Sequence, residues 1–283
     1  MATARSLCLL LSALCLLGCG GSSEPGTQPD PSSGPAIAGQ QLKHVLATPL
    51  DGNIGGYLEY LPGDHATSGH TYPLLIFCHG AGETGDGSEA SLDALARNGV
   101  PKLIQNGTFP AGFTVKAGTF AFIVVSPQFI AWPAPSNVLA LLDHLNASGL
   151  RIDPRRVYLT GLSMGGGATW ATASSAGALP LLAAVVPVCG AMDANDAGAR
   201  RIAEASLPVW ALHNDGDPTV PVNNTLHWID AINSHGPAIA ARKTIFIANA
   251  HDAWTQAYDP DYRETLDGQS LNVYQWLLSY RKP

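Results

Sequence analysis

Four short clusters of chemically capable residues stand out in this 283-residue chain. They are Gly161-Leu162-Ser163-Met164-Gly165, His79-Gly80-Ala81-Gly82-Glu83, the stretch 213–221 with His213, Asp215 and Asp217, and His251-Asp252-Ala253-Trp254. A serine hydroxyl is a weak nucleophile until a neighbouring base takes its proton. A histidine base in turn needs a carboxylate to hold its tautomer and to stabilise the imidazolium that forms. The first, third and fourth clusters supply serine, carboxylate and imidazole in that order along the chain. A tetrahedral intermediate also needs backbone N–H donors aimed at its oxyanion, and the Gly-rich second cluster is suited to supply one. The chemistry these residue types fit is acyl transfer to a serine, followed by hydrolysis.

Each cluster has a bland reading beside the chemical one. In a chain with 30 glycines, a GxSxG string arises by chance in roughly one case in five, so its setting decides. Here an apolar run precedes the string and an Ala-rich, proline-free stretch follows it. That is the strand-turn-helix setting of a nucleophile serine, with a helix N-terminus favouring negative charge beside it; the alternative is a Gly-rich turn with a capping serine. Met164 and Ala81 are the candidate oxyanion donors. His79, wrongly placed in chain order for a base, reads as a brace for its loop. Asp217 is the preferred triad carboxylate over Asp215, and at least one of the two must be a turn or capping group. His251 follows the last clear strand, where the base belongs.

To bring these groups together the chain needs elements whose ends converge. Two alternating segments, 42–47 and 54–60, flank a turn-rich stretch and predict an antiparallel sheet edge. Apolar runs at 73–78, 120–125, 156–160, 183–188, 209–213 and 244–247 read as strands, the longer ones buried on both faces. Helices are expected at 91–97, 102–105, 136–147, 164–176, 197–205, 223–234 and 271–280. This alternation predicts an α/β fold with a mostly parallel central sheet, helices on both faces and right-handed crossovers. Ligands of such sheets bind beyond the carboxyl ends of the strands, and all four clusters lie there.

The stretches YPLLIFCHGAGETGDG, VVSPQ, RIDPRRVYLTGLSMGGGATW, PVWALHNDGDPTVPV and HDAWTQAY resemble those of bacterial α/β-hydrolases labelled predicted peptidases. That group is related to phospholipase/carboxylesterases, dienelactone hydrolases, and feruloyl or acetylxylan esterases. The matching pieces span nearly the whole folded part. The resemblance implies the α/β-hydrolase fold, with Ser163 as nucleophile, Asp217 as the acid of an HxxxDxxVP stretch and His251 as base, leaving Asp215 as runner-up. Asn214 departs from the Gly common at that place in the group. Dienelactone hydrolases use a cysteine nucleophile, so the serine here disfavours that activity. What the resemblance implies instead is ester hydrolysis without a cofactor, on feruloyl or acetyl esters of polysaccharides or on other small esters. Trp132, Trp170 and Trp254, with Tyr258, are candidates to wall an aromatic or sugar-binding cleft. The alternatives are a serine peptidase of prolyl-oligopeptidase-like type and a non-catalytic surface lipoprotein that binds through the same scaffold.

Hydrophobic residues at 46% against 13% charged suit one large core, placed in a single catalytic domain over 40–283. A formal net charge of −7 with no Lys/Arg run argues against nucleic acid and anionic headgroups as partners. Residues 1–18 carry Arg5 and an apolar run at 7–17, the pattern of a signal peptide. The run ends in Leu16-Leu17-Gly18-Cys19, which resembles a bacterial lipobox. Cys19 is then the lipidated N-terminus and the sole membrane link, with Gly20 leaning toward the outer membrane, and 19–39 is a flexible Gly/Ser/Pro tether. The expected location is extracytoplasmic, anchored or secreted. Of five cysteines, Cys78 and Cys189 fall in the folded domain. They end strands placed two apart, about 10 Å, beyond disulfide reach, so two buried thiols are expected. Neither has metal-ligand spacing and there is no HExxH, so no metal site is expected.

Overall fold

Strands that are apolar at every position must be covered on both faces, and the sheet is built that way. The computed structural model describes Gly34 and residues 38–283. The expected signal segment, the Cys19 anchor and the rest of the tether as far as residue 37 lie outside the described residues. Eight strands form the central sheet: β1 (Gln40–Leu50), β2 (Ile54–Leu61), β3 (Tyr72–Cys78), β4 (Ile123–Phe129), β5 (Ile152–Leu162), β6 (Ala184–Val188), β7 (Trp210–Asn214) and β8 (Arg242–Phe246). Their spatial order is β1-β2-β4-β3-β5-β6-β7-β8. β2 is antiparallel to both neighbours, and the pairs from β4 across to β8 are all parallel.

The helices are α1 (Gly99–Gln105), α2 (Pro135–Ala147), α3 (Met164–Ala173), α4 (Asp196–Glu204), α5 (Asn223–Ser234), α6 (Trp254–Ala257) and α7 (Val273–Leu278). Alternate β3 residues feed two cores. Leu74 and Ile76 join Leu141 of α2, Trp170 of α3 and Trp228 of α5. Leu75 and Phe77 join Val100 of α1 and Tyr274 and Trp276 of α7. At about 1.5–3 kcal/mol for each fully buried apolar side chain, this two-sided burial holds the strand ends in fixed register. Among the described residues no helix is long and apolar enough to cross a membrane.

The structure corrects one strand. The apolar run 120–125 is split: Phe120 closes a short hairpin (Phe113–Val115 with Gly118–Phe120), and β4 starts at Ile123 and continues through Pro127 to Phe129. Ser126, Pro127 and Gln128 look like loop chemistry but lie in the sheet, because the ladder from β3 ends at Val125 and Pro127 faces only β2. A second hairpin (Glu264–Leu266 with Gln269–Leu271) and the single turn of α6 carry no clear apolar period and were not expected.

Candidate active site

β5 ends at Leu162 and α3 begins at Met164, leaving Ser163 alone to reverse the chain. It does so at φ 54°, ψ −115°, a conformation that residues with a Cβ avoid and that persists only when its surroundings over-determine it. Three backbone bonds do so here. The Ser163 N–H donates to the Val188 carbonyl at 3.0 Å, and the Ser163 carbonyl accepts from Gly167 at 2.9 Å and Ala191 at 3.0 Å. Glycine is required beside the turn: a Cβ on Gly165 would stand 2.0 Å from the Cys78 carbonyl oxygen, and one on Gly161 2.4 Å from that of Gly165.

Segments following β7 and β8 bring Asp217 and His251 to this serine. Ser163 Oγ lies 2.8 Å from His251 Nε2, and His251 Nδ1 lies 2.6 Å from Asp217 Oδ2. An ionised carboxylate only accepts, so Nδ1 carries the proton and Nε2 is left to accept from the hydroxyl. The Asp217 side chain has no exposed surface. Burial alone would raise its pKa. The bonds from His251 and from the Val220 and Thr219 N–H groups outweigh burial and hold the carboxyl below the ordinary range. Those two N–H groups donate to Oδ1 at 2.9 and 2.8 Å, which aims Oδ2 at His251.

Asp215 is engaged elsewhere. Its Oδ1 accepts from the Ala248 N–H at 2.9 Å, its own N–H donates to the Phe246 carbonyl, and the Gly216 N–H donates to Ala248. The Asn214 side-chain amide donates to the Ala250 carbonyl at 2.7 Å. Together these bonds clasp the turn after β7 to the segment that carries His251. His213 is fully buried, accepts at Nδ1 from Thr225 Oγ1 (2.8 Å) and donates from Nε2 to the Val220 carbonyl (3.0 Å), with Nε2 also 3.3 Å from Asp217 Oδ2. Its burial lowers its pKa, so it is a neutral support for the turn that carries Asp217. Cys189, at φ 39° just past β6, is a buried free thiol whose pKa burial pushes up to about 12. Among the described residues Cys78 is also a buried free thiol.

The loop after β3 lies against Ser163: a Cβ on Gly80 would be 3.7 Å from that of Ser163. Ala81 opens a single 3₁₀ turn (Ala81–Glu83), and Met164 is the first residue of α3. First-turn N–H groups have no intrahelical acceptor and are free to face an anion. Buried Gln128 holds this loop, accepting from the Gly87 N–H and donating to the Glu83 and Ser91 carbonyls. His79 donates from Nδ1 to the Gly80 carbonyl (2.6 Å) and accepts at Nε2 from the Phe129 N–H (2.9 Å). Burial pushes its pKa down to about 4, so it is a neutral brace with both nitrogens engaged.

The tryptophans separate. Trp254 meets the His251 ring edge-on at 5.2 Å, and its indole N–H donates to Asn98, whose amide donates to Glu83 in the loop after β3. Trp132 is 58% exposed in the segment after β4. Trp170 is not a cleft residue: it is fully buried and stacked on Trp228 at 5.0 Å, because it sits on the sheet-facing side of α3. Tyr258 is likewise buried, bonded to Thr160. Sequence reasoning missed the supports Asn98, Gln128, His213 and Asn214; amide and imidazole groups beside otherwise apolar strand ends are the signal that marks three of them.

No protein-family model matches the chain and no curated protein matches it. Among solved structures it is similar to a thermostable esterase, at 20% identity and TM-score 0.59, covering 87% of this chain and 64% of that one. It is also similar to a substrate-bound fluorophosphonate-binding serine hydrolase of Staphylococcus aureus, at 14% identity and TM-score 0.57, covering 78% and 96%. A third is a serine-to-alanine mutant of the feruloyl esterase module of Clostridium thermocellum complexed with sinapinate, at 18% identity and TM-score 0.53, covering 82% and 87%. The chain thus spans less than two thirds of the thermostable esterase. These likenesses, with the strand order and the single antiparallel β2, give the chain the α/β-hydrolase fold.

Proposed function

We propose that the chain is a serine carboxylic-ester hydrolase working through an acyl-enzyme. The observation that carries this reading is His251, which contacts Ser163 Oγ through one ring nitrogen and buried Asp217 through the other. In the proposed cycle His251 takes the serine proton as Ser163 attacks the ester carbonyl. The Ala81 and Met164 N–H groups receive the oxyanion, each such donor being worth about 3–4 kcal/mol in comparable sites. His251 then protonates the leaving alcohol, and water, deprotonated by the same imidazole, releases the acid. Ionised Asp217 stabilises the imidazolium in both halves.

The substrate class in this reading is a feruloyl or acetyl ester of a polysaccharide, or another small ester. Support comes from Trp254 at the edge of His251 and from exposed Trp132, both suited to an aromatic or sugar ring. The proposed place of work is outside the cytoplasm of a bacterial cell, held to the membrane, with the outer membrane favoured, through a lipidated Cys19, or secreted. Loss of palmitate labelling in Cys19→Ala tests the anchor.

The test of function is hydrolysis of short-chain p-nitrophenyl esters by wild type and Ser163→Ala, beside matched amides. Ester turnover lost in the variant supports the reading. Amide turnover equal to ester turnover favours a peptidase, and a folded wild type inert to both favours a binding protein.

A further inference from the structure

Cys189 takes no part in the proposed cycle, yet it completes a cluster. Its sulfur, one ring nitrogen of His251 and one carboxylate oxygen of Asp217 all lie within 4.8 Å of one another. Three atoms so placed all lie within about 2.8 Å of some common point, whereas zinc sits about 2.3 Å from sulfur and about 2.0–2.2 Å from nitrogen or oxygen. Closing the cluster on an ion therefore needs movements of about 0.5–0.8 Å per ligand, the scale of small side-chain rotations. Thiolate, imidazole and carboxylate together suit a borderline-soft cation; calcium and magnesium take oxygen ligands and higher coordination. Two anionic ligands also cancel the charge of a divalent ion, so its burial leaves no net charge behind.

We propose that Cys189, Asp217 and His251 form a binding site for one divalent cation of the zinc class, and that its occupancy shuts the hydrolase off. Binding releases the Cys189 thiol proton to solvent, while Asp217 binds as the carboxylate it already is and neutral His251 offers a lone pair. Coordination through Nδ1 breaks the bond to Asp217 and moves the ring proton to Nε2, which then no longer accepts from Ser163. Coordination through Nε2 occupies the lone pair that Ser163 needs. Either route ends base catalysis. The ion enters past His251, the one ligand of the three with an exposed side-chain edge, and water completes a tetrahedral shell. The ligands come from the ends of three adjacent strands, β6, β7 and β8, so no local spacing in the sequence announces them.

The inhibition rests on the esterase reading; the binding does not. The test titrates the full chain with Cd²⁺ and Co²⁺, following thiolate-to-metal charge-transfer absorption as the difference between wild type and Cys189→Ala, with zinc inhibition of ester hydrolysis measured in parallel. One equivalent of band is expected to vanish in Cys189→Ala and to persist in Cys78→Ala. Cys189→Ala should keep its ester turnover while the zinc concentration for half-inhibition rises at least about tenfold. Cys189→Ser, which keeps the volume, covers the case in which alanine unfolds the protein. A band or a zinc sensitivity that survives unchanged in the folded Cys189 variant overturns the site. A wild type without ester activity that still binds one Cd²⁺ through Cys189 upholds the site and refutes the esterase reading.

Discussion

Exchanging each aspartate of the acid turn for asparagine separates two carboxylates only two residues apart. In Asp217→Asn the new amide has two orientations. With its oxygen kept on the Thr219 and Val220 N–H groups, its NH₂ meets the Nδ1–H of His251. With the amide flipped, its NH₂ faces the N–H groups of exposed Thr219 and buried Val220, and the Val220 donor loses its acceptor at about 1–3 kcal/mol. The first orientation is therefore preferred. The imidazole answers by moving its proton to Nε2, which removes the lone pair that Ser163 uses, and His213 Nε2, 3.3 Å away, adds a second donor facing the same amide. A wrong-tautomer defect of this kind costs roughly 10³- to 10⁴-fold in kcat, or about 4–5 kcal/mol of barrier. In Asp215→Asn the side-chain oxygen still accepts from the Ala248 N–H, so the clasp persists and turnover should fall by less than about tenfold, within the range of one neutral hydrogen bond. The assay is steady-state ester hydrolysis on both variants, with thermal melting to confirm folding. If folded Asp215→Asn is the more damaged of the two, the assignment of the acid and the reasoning from the two N–H bonds are both wrong.

Gly165→Ala forces a methyl to within 2.0 Å of the Cys78 carbonyl; the elbow must shift, with a stability loss of about 1–3 kcal/mol and a fall in kcat, both readable from melting and kinetics. His79 has its pKa lowered from 6.5 to about 4, so the unfolded chain binds the extra proton between those values. The stability it contributes is complete above pH 6.5 and is lost as pH falls toward 4. It amounts to about 3 kcal/mol, buried His213 acts in the same direction, and His79→Gln should flatten that part of the stability profile. Trp170→Ala should cost about 3–5 kcal/mol as a core deletion, whereas Trp132→Ala should leave melting unchanged within about 0.5 kcal/mol; equal losses in urea titrations would contradict the burial assignments.

Much of this architecture was legible in the sequence because strands covered on both faces are apolar at every position. Leu74 to Cys78 announces β3, and the 3.6-residue period of 136–147 announces α2. The turn at Ser163 was legible because an apolar run leads into the GxSxG string and an Ala-rich stretch follows it, and in the structure only glycine fits at 161 and 165. What failed did so for physical reasons. Pro127 and Gln128 suggest a loop, yet Gln128 is buried in β4 because its amide serves three backbone groups of the loop beside Ser163. Trp170 suggested a cleft because residue type does not reveal which way a helix turns its face, and its stacking on Trp228 is decided by packing between distant segments. The clasp through Asn214 and the cluster around Cys189 join separate strand ends, which pairwise spacing cannot express.

The central claim is that Ser163 carries the acyl group. The most direct measurement is rapid acid quench of the protein during turnover of a slowly deacylating ester, followed by peptide mass analysis of residues 157–200. One acyl mass on Ser163, absent from His251→Ala, is the expected result. Ester turnover that continues in folded Ser163→Ala, or an acyl group found on another residue, would contradict it.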